Sequence, residues 1–399
     1  MFGDMNRMID PGPAHPPSEP VPELHEAGPA PLPDRPRPGR GAVSNRSGRF
    51  ERLRAGGTDN GWHTEHGAEA PPSRLDTSVT FDRTRSIIAR NDSPDIPFDR
   101  SINAYRGCEH GCVYCFARPT HAWLGLSPGL DFETRLFAKP NAAELLAREL
   151  ARPGYVPRTI AMGTNTDPYQ PVERRLKITR AILEVLAEHN HPVSIVTKSA
   201  LVARDLDILG PMAARGLASV GVSVTTLDTE LAERMEPRAA RPERRLETIR
   251  MLAAAGLPVT VMAAPMIPAL NDHELEAILI RARQAGASHA GYILLRLPLE
   301  LKELFEEWLD THYPDRKRRV LKRLREMRGG ELYRSRFGER MRGRGELAKL
   351  LEERFRVAVR QQGFDTEPTL LDARRFRRAE PEGTEGQLNL FADTAKAPA

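Results

Sequence analysis

The chain has 399 residues, 40% of them apolar, enough for a packed core and for roughly two to three domains. A mean hydropathy of −0.47, with no apolar run long enough to cross a bilayer, argues against a membrane protein. The net charge of +5 permits a nucleic-acid partner without demanding one. An odd number of cysteines, behind an opening that lacks a signal-peptide core, argues against a disulfide framework and for a reducing, cytoplasmic location.

Residues 1–75 are poor in aliphatics and rich in Pro, Gly, Arg and Glu. Such a stretch cannot bury enough apolar surface to offset its ordering entropy, so this region is expected to be largely disordered, from residue 1 to about 38 throughout. GRGAVSNRSGRFE (39–51) is less random. It reads as a solvated linker, or as basic residues that close over a site or touch an anion. From Ser86 the pattern tightens into two short apolar runs broken by Pro94 and Pro97. The second, SINAY (101–105), is expected as a first strand of the core.

That strand leads into residues 103–121, NAYRGCEHGCVYCFARPTH, which hold Cys108, Cys112 and Cys115, the only cysteines of the chain. Three thiols spaced C-x3-C-x2-C can meet at one point, because a loop of about seven residues curls easily. A bound metal also lowers their pKa together. Three soft ligands suit an iron–sulfur cluster or zinc. A four-iron cluster held by three cysteines keeps one iron open, whereas structural zinc needs a fourth ligand such as His110 or His121. The missing fourth cysteine favours the cluster.

Apolar runs and amphipathic segments then alternate. Strands are expected at 158–166, 192–199, 218–226, 257–267 and 289–298. Helices with i, i+3, i+4 spacing lie between them, at 171–190, 201–215, 242–256 and 271–286. Gly256 is placed to end one helix, and Asn271 and Asp272 to cap another. Six strands separated by helices imply α/β architecture with parallel βαβ units. Ligands of such folds lie at the carboxyl ends of the strands, and polar motifs do follow these strands. GTNTDPYQPVE (163–173) packs hydroxyls, an amide and a carboxylate that can hold an ammonium group and ribose hydroxyls. The third strand ends in Lys198 and Ser199, and the fourth carries Ser223, Thr225 and Thr226. Beside Glu236, Arg238 and Arg245 suit a carboxylate clamp, a loop-ordering role, or a solvated helix start.

Residues 299–310 read as the helix that closes the barrel, with Leu301, Leu304, Phe305 and Trp308 on one face. From 311 to 360 there are 17 Lys and Arg against 7 Asp and Glu, which concentrates the positive charge in one basic helical extension (311–378). With Tyr333 and Phe337 it suits a phosphate backbone, or it is a solvated face. Residues 379–399 read as a disordered tail carrying one apolar patch: Gln387, Leu388, Asn389, Leu390 and Phe391.

The cysteine spacing, with aromatic Tyr114 before the last thiol, resembles the signature of the radical S-adenosylmethionine (radical-SAM) superfamily. The longer run from 91 to 363 is similar to an uncharacterised bacterial branch close to the spore photoproduct lyase-like group. The resemblance implies a partial (β/α)6 barrel over 86–310, a 4Fe–4S cluster on Cys108, Cys112 and Cys115, and SAM chelated by the open iron. It implies reductive SAM cleavage to a 5′-deoxyadenosyl radical, with an electron donor such as flavodoxin or ferredoxin. It further implies SAM contacts from Tyr114, Thr164, Asn165, Thr166, Asp167, Lys198 and Ser223, and an adenine surface from Met266 and Ile267. The expected substrate is a nucleic acid, in repair or modification. The alternatives are a small metabolite or a protein, or a zinc-stabilised nucleic-acid-binding module without catalysis. Spore photoproduct lyases use a further downstream cysteine as hydrogen donor; this chain has none, and Tyr169 and Tyr292 near strand ends are the substitutes considered. The patch from Gln387 to Phe391 resembles the peptide by which bacterial repair proteins dock on the DNA polymerase sliding clamp.

Overall fold

Runs of β-branched and small aliphatic residues form the strands. In chain order they are β1 (Ser78–Phe81), β2 (Ile88–Arg90), β3 (Arg100–Ile102), β4 (Tyr105–Arg106), β5 (Arg135–Ala138), β6 (Ile160–Met162), β7 (Val193–Thr197), β8 (Ala218–Ser223), β9 (Val259–Met266) and β10 (His289–Leu294). The computed structural model describes residues 35–50 and 74–378. Seven strands make the main sheet, in the order β10-β9-β8-β7-β6-β3-β2. Its first six are mutually parallel, and β2 returns antiparallel on β3. These six are the strands expected from the sequence. A small side sheet, β1-β5-β4, flanks them.

The crossover helices present apolar stripes to the sheet. Ile178–Glu188 buries Ile178, Ile182, Leu183 and Leu186, the spacing of one helix face. Pro242–Ala254 buries Leu246, Ile249 and Leu252. These side chains and the alternate residues of the strands join one continuous core.

A short segment staples the sheet's two ends. Gly338 donates its N–H to Asp95 Oδ1 (2.8 Å), in the turn between β2 and β3. Three residues on, the Met341 carbonyl accepts the Leu294 N–H of β10 (2.9 Å). Three residues span at most about 11 Å, whereas seven flat strands would hold their edges roughly 29 Å apart. The sheet is therefore rolled into a partial (β/α)6 barrel.

This strap, and not residues 299–310, bridges the barrel's edges. The helix Leu301–His312 does bury Leu301, Leu304, Phe305 and Trp308, but in a second cluster with Val113, Tyr114, Leu231 and Met235. The basic extension is helical over Pro314–Glu326 and Glu346–Gln361 and irregular between. Ala348, Leu351, Ala358 and Phe364 rejoin the barrel core. Within the region expected to be largely disordered, Arg37, Arg40, Ala42, Val43 and Ser44 are buried. A solvated linker does not describe residues 37–44. The rest of 1–75 that precedes residue 35 or falls in 51–73, and the tail with Gln387 to Phe391, lie outside the described residues. Among the described residues no helix is long and apolar enough to cross a membrane.

Candidate active site

The cysteine loop is held by backbone turns and one buried ion pair. Gly107 and Gly111 take positive φ values of 76° and 68°, where a side chain is strained. A Cβ on Gly111 would also meet Glu133 Oε2 at 2.7 Å. Arg118, fully buried, donates to the carbonyls of Cys112 (2.8 Å), Gly129 (2.8 Å), Pro128 (3.1 Å) and Gly111 (3.1 Å), and pairs with the fully buried Glu133. The carboxylate offsets part of the cost of taking the guanidinium out of water. Glu133 in turn accepts the N–H groups of Gly41 (3.0 Å) and Ala42 (2.8 Å), which docks the N-terminal segment on the loop. Further ties run from Cys108 N–H to Phe132 O (2.9 Å), Val113 N–H to Met235 O (3.0 Å) and Glu109 N–H to Gln170 Oε1 (2.9 Å).

Above the loop lies a cavity of about 190 Å³ at the carboxyl ends of the strands. Cys108, Cys112 and Cys115 all line it, together with Tyr114; Thr164, Asn165, Thr166 and Asp167 follow β6, Lys198 follows β7, and Ser223 ends β8. The three cysteines and the seven residues expected to contact SAM thus face one space. Gly163 (φ 89°) permits the loop after β6 to cross β7, because a Cβ there would sit 2.0 Å from Val196 O. Asn103 orders the same loop: it donates to Thr164 Oγ1 (3.2 Å) and accepts from the Asn165 N–H (3.0 Å).

Several of these groups are already engaged. Asp167 accepts from Thr197 Oγ1 (2.7 Å), Lys198 N–H (2.8 Å) and Tyr169 N–H (2.9 Å), and lies 3.3 Å from His110 Nδ1. Burial alone would raise its pKa, but His110 and these donors hold the carboxyl down at about 2. Lys198 reaches over the Tyr114 ring, 5.7 Å from its centroid. The Tyr114 hydroxyl meets Thr225 Oγ1 (3.3 Å), which donates to Glu236 (2.6 Å), and Glu236 pairs with Arg245. Arg245 also donates to the Ser223 carbonyl (3.1 Å). Arg238 pairs with Glu109 (2.8 Å). Neither arginine lines the cavity, so both order the surrounding loops.

Other expectations are corrected. Met266 and Ile267 are core residues; Met262, Ala264 and Pro265 line the cavity instead. The alternation of β9 breaks at its end: Val259, Val261 and Ala263 are more deeply buried than Thr260, Met262 and Ala264, but Pro265 and Met266 are both buried, so Met266 does not follow Met262 and Ala264 to the cavity. Tyr292 packs on Phe355, with ring centroids 4.8 Å apart, while its neighbour Ile293 lines the cavity. Tyr169 is fully buried and held beneath Arg204. Neither tyrosine reaches the cavity. Two lining residues, Phe116 and Arg296, were not singled out from the sequence; the strand-end rule applied to β10 would have found Arg296.

The donor set fits an iron–sulfur cluster. All three thiols are free of disulfides, and burial pushes Cys108 and Cys112 above the ordinary thiol range. Such thiols become anionic when a metal supplies the compensating charge. Of the two histidines considered as a fourth zinc ligand, His121 turns its Nε2 to the Arg135 carbonyl (3.0 Å), while His110 meets Asp167 through Nδ1 (3.3 Å) and lines the cavity with the thiols; the family to which the chain belongs decides for the cluster.

A partial parallel barrel with a three-thiol loop at its carboxyl end defines a class of cluster-dependent enzymes, and comparison with known proteins specifies the family. The profile of the Radical SAM superfamily matches residues 102–282. An uncharacterised protein of Mycobacterium tuberculosis is 39% identical over 242 residues, 59% of this chain and 71% of the relative. One from Methanocaldococcus jannaschii is 27% identical over 214 residues, 54% of this chain and 76% of that protein. Among solved structures, a spore photoproduct lyase variant superposes with a TM-score of 0.50 at 19% identity, covering 72% of this chain and 82% of that one. The chain belongs to the radical SAM superfamily. It is an enzyme that uses a 4Fe–4S cluster and S-adenosylmethionine.

Proposed function

We propose that this enzyme carries out radical chemistry on a nucleic acid in the cytoplasm. Cys108, Cys112 and Cys115 hold the cluster, which when bound supplies the electron that cleaves SAM to a 5′-deoxyadenosyl radical able to abstract hydrogen. The chain's own residues bind, orient and exclude water. Lys198 and Ser223 offer a charged and a neutral donor to the polar groups of SAM. Tyr114, fixed through Thr225 and Glu236, sets the wall beside them. Thr164, Asn165 and Thr166 present hydroxyl and amide groups for ribose, while Asp167 holds the ends of β6 and β7 in register. Met262, Ala264 and Pro265 give an apolar surface for adenine.

One observation carries the reading: the three thiols and the polar residues ending β6, β7 and β8 line a single cavity. Two further observations support a nucleic-acid substrate. The charge excess lies in the extension whose Met341 touches the cavity-lining Arg296, and a spore photoproduct lyase variant, which shares the fold, has been captured with AdoMet and a dinucleoside spore photoproduct bound. The test is deuterium transfer. Protein reconstituted without oxygen is given dithionite, SAM and deuterated DNA or RNA, and 5′-deoxyadenosine is weighed by mass spectrometry. Label in the product supports a nucleic-acid substrate; turnover with unlabelled product under saturating DNA and RNA contradicts it.

Two partners complete the proposal. An electron donor such as flavodoxin or ferredoxin reduces the cluster, and the patch from Gln387 to Phe391 docks on the DNA polymerase sliding clamp. A peptide covering 383–395 should bind the clamp with micromolar affinity, about −8 kcal/mol. Leu390→Ala with Phe391→Ala should abolish that binding and leave SAM cleavage intact. No binding at high micromolar clamp ends this part of the proposal.

A further inference from the structure

We propose that Arg296 and Phe116 form an oxyanion-binding shelf at the cavity mouth, and that it grips a phosphate of the substrate; the identity of that substrate rests on the nucleic-acid reading above. Arg296 follows β10 at the carboxyl end of the barrel, and both residues line the cavity. Its guanidinium lies 4.5 Å from the centroid of the Phe116 ring. Phe116 stands next to Cys115 in the chain and is 42% exposed. An aromatic ring so placed beside the cysteine loop has one face on the guanidinium and the rest open to a ligand.

The arginines that brace this site contrast with Arg296. Arg118 ends on Glu133, Arg238 on Glu109 and Arg245 on Glu236. Among the described residues Arg296 has one hydrogen bond, to the Met341 sulfur (3.6 Å), a weak acceptor, and no carboxylate, and its Nε is buried with no hydrogen-bond partner. A guanidinium keeps its charge at any working pH, and stacking on a ring leaves its in-plane N–H fork free to take an oxyanion through two parallel bonds.

A carboxylate of SAM is the other source of an oxyanion. In the sheet order β10 lies three strands from β7, roughly 14 Å around the barrel. Arg296 and Lys198 therefore suit two different ligands.

The experiment uses the reconstituted full chain as wild type, Arg296→Ala, Arg296→Lys and Phe116→Ala. Arg356→Ala, on the outer face and paired with Glu353, serves as control. Binding of a fluorescein-labelled single-stranded DNA of roughly 12 nucleotides is followed by anisotropy at several salt concentrations, and binding of SAM by equilibrium dialysis. Arg296→Ala should weaken DNA binding about tenfold and lower the salt slope by about one, with SAM affinity and cluster absorbance unchanged. Arg296→Lys should recover the salt slope but not the affinity, because it restores charge without the fork. If the alanine variant does not fold, the lysine variant decides by the same affinity loss. Unchanged DNA affinity in a binding-competent protein overturns the shelf. So does a loss of SAM affinity, which would assign the oxyanion to the SAM carboxylate. Should the wild type bind no DNA, thymidine 5′-monophosphate separates the two ideas. Arg296-dependent binding of it keeps the shelf and removes the nucleic-acid reading; no binding removes both.

Discussion

Two irregular segments serve the site, one lining the cavity and one touching its Arg296 through Met341, and one device holds both. In the cysteine loop Arg118 gathers four carbonyls; in the strap Arg328, also buried, gathers the carbonyls of Leu294, Leu295, Glu339 and Arg340. The difference is the counter-charge. Arg118 ends on Glu133, whereas among the described residues Arg328 pairs with no carboxylate, and burial lowers its pKa to about 10. The strap's carboxylate, Asp95, acts near the surface on Arg340 and Gly338. A closed buried pair fixes the side that holds the cofactor. The strap's anchor relies on carbonyl dipoles instead.

The comparison is broken most completely at the thiols. Cys108→Ala, Cys112→Ala or Cys115→Ala should each abolish a stable cluster and SAM cleavage, as measured by iron content and 5′-deoxyadenosine. Full iron and turnover in two of the single variants would reassign the ligands. Glu133→Ala attacks the closed pair. It leaves Arg118 buried and unpaired and frees Gly41 and Ala42, for a loss of about 3–5 kcal/mol in denaturant unfolding. A loss below about 1 kcal/mol would mean that the pair does not brace the loop.

Smaller effects sharpen the contrast. Lys198→Ala and Ser223→Ala should each weaken SAM binding, the lysine by about 1.5–3 kcal/mol, the worth of a charge-assisted hydrogen bond. Cluster absorbance should remain. Unchanged SAM affinity in both would move the SAM site elsewhere. Asp95→Ala should loosen only the strap, by about 1 kcal/mol. Hydrogen exchange at Gly338 and at its neighbours should quicken while SAM cleavage is kept. Equal quickening in residues 107–118 would show that the two segments are not independent.

What could be read in the sequence follows the same division. The six strands, their parallel order and the cavity residues from Cys108 to Ser223 were legible, because each signal lies within a short run and strand ends carry ligands in such folds. Arg118 and Glu133 were not. They sit 15 residues apart, and Glu133 reaches back to Gly41 and Ala42 over 92 and 91 residues; no local period encodes such a tie. The strap was hidden differently, since its Arg and Gly content reads as a solvated surface and its two anchors, Asp95 and Leu294, lie far apart in the chain. Met266 and Ile267 were misplaced because the alternation along β9 breaks after Ala264, which a parity count does not foresee. Arg296 was missed because it sits among leucines inside the run 289–298 read as a strand, not after its end.

The central claim is that Cys108, Cys112 and Cys115 form a cluster site opening on a SAM pocket. It is tested most directly by reconstituting the full chain with iron and sulfide without oxygen, then adding dithionite and SAM. The expected result is a brown protein with about four irons per chain that releases 5′-deoxyadenosine. A colourless protein that binds a single zinc and leaves SAM intact would contradict it.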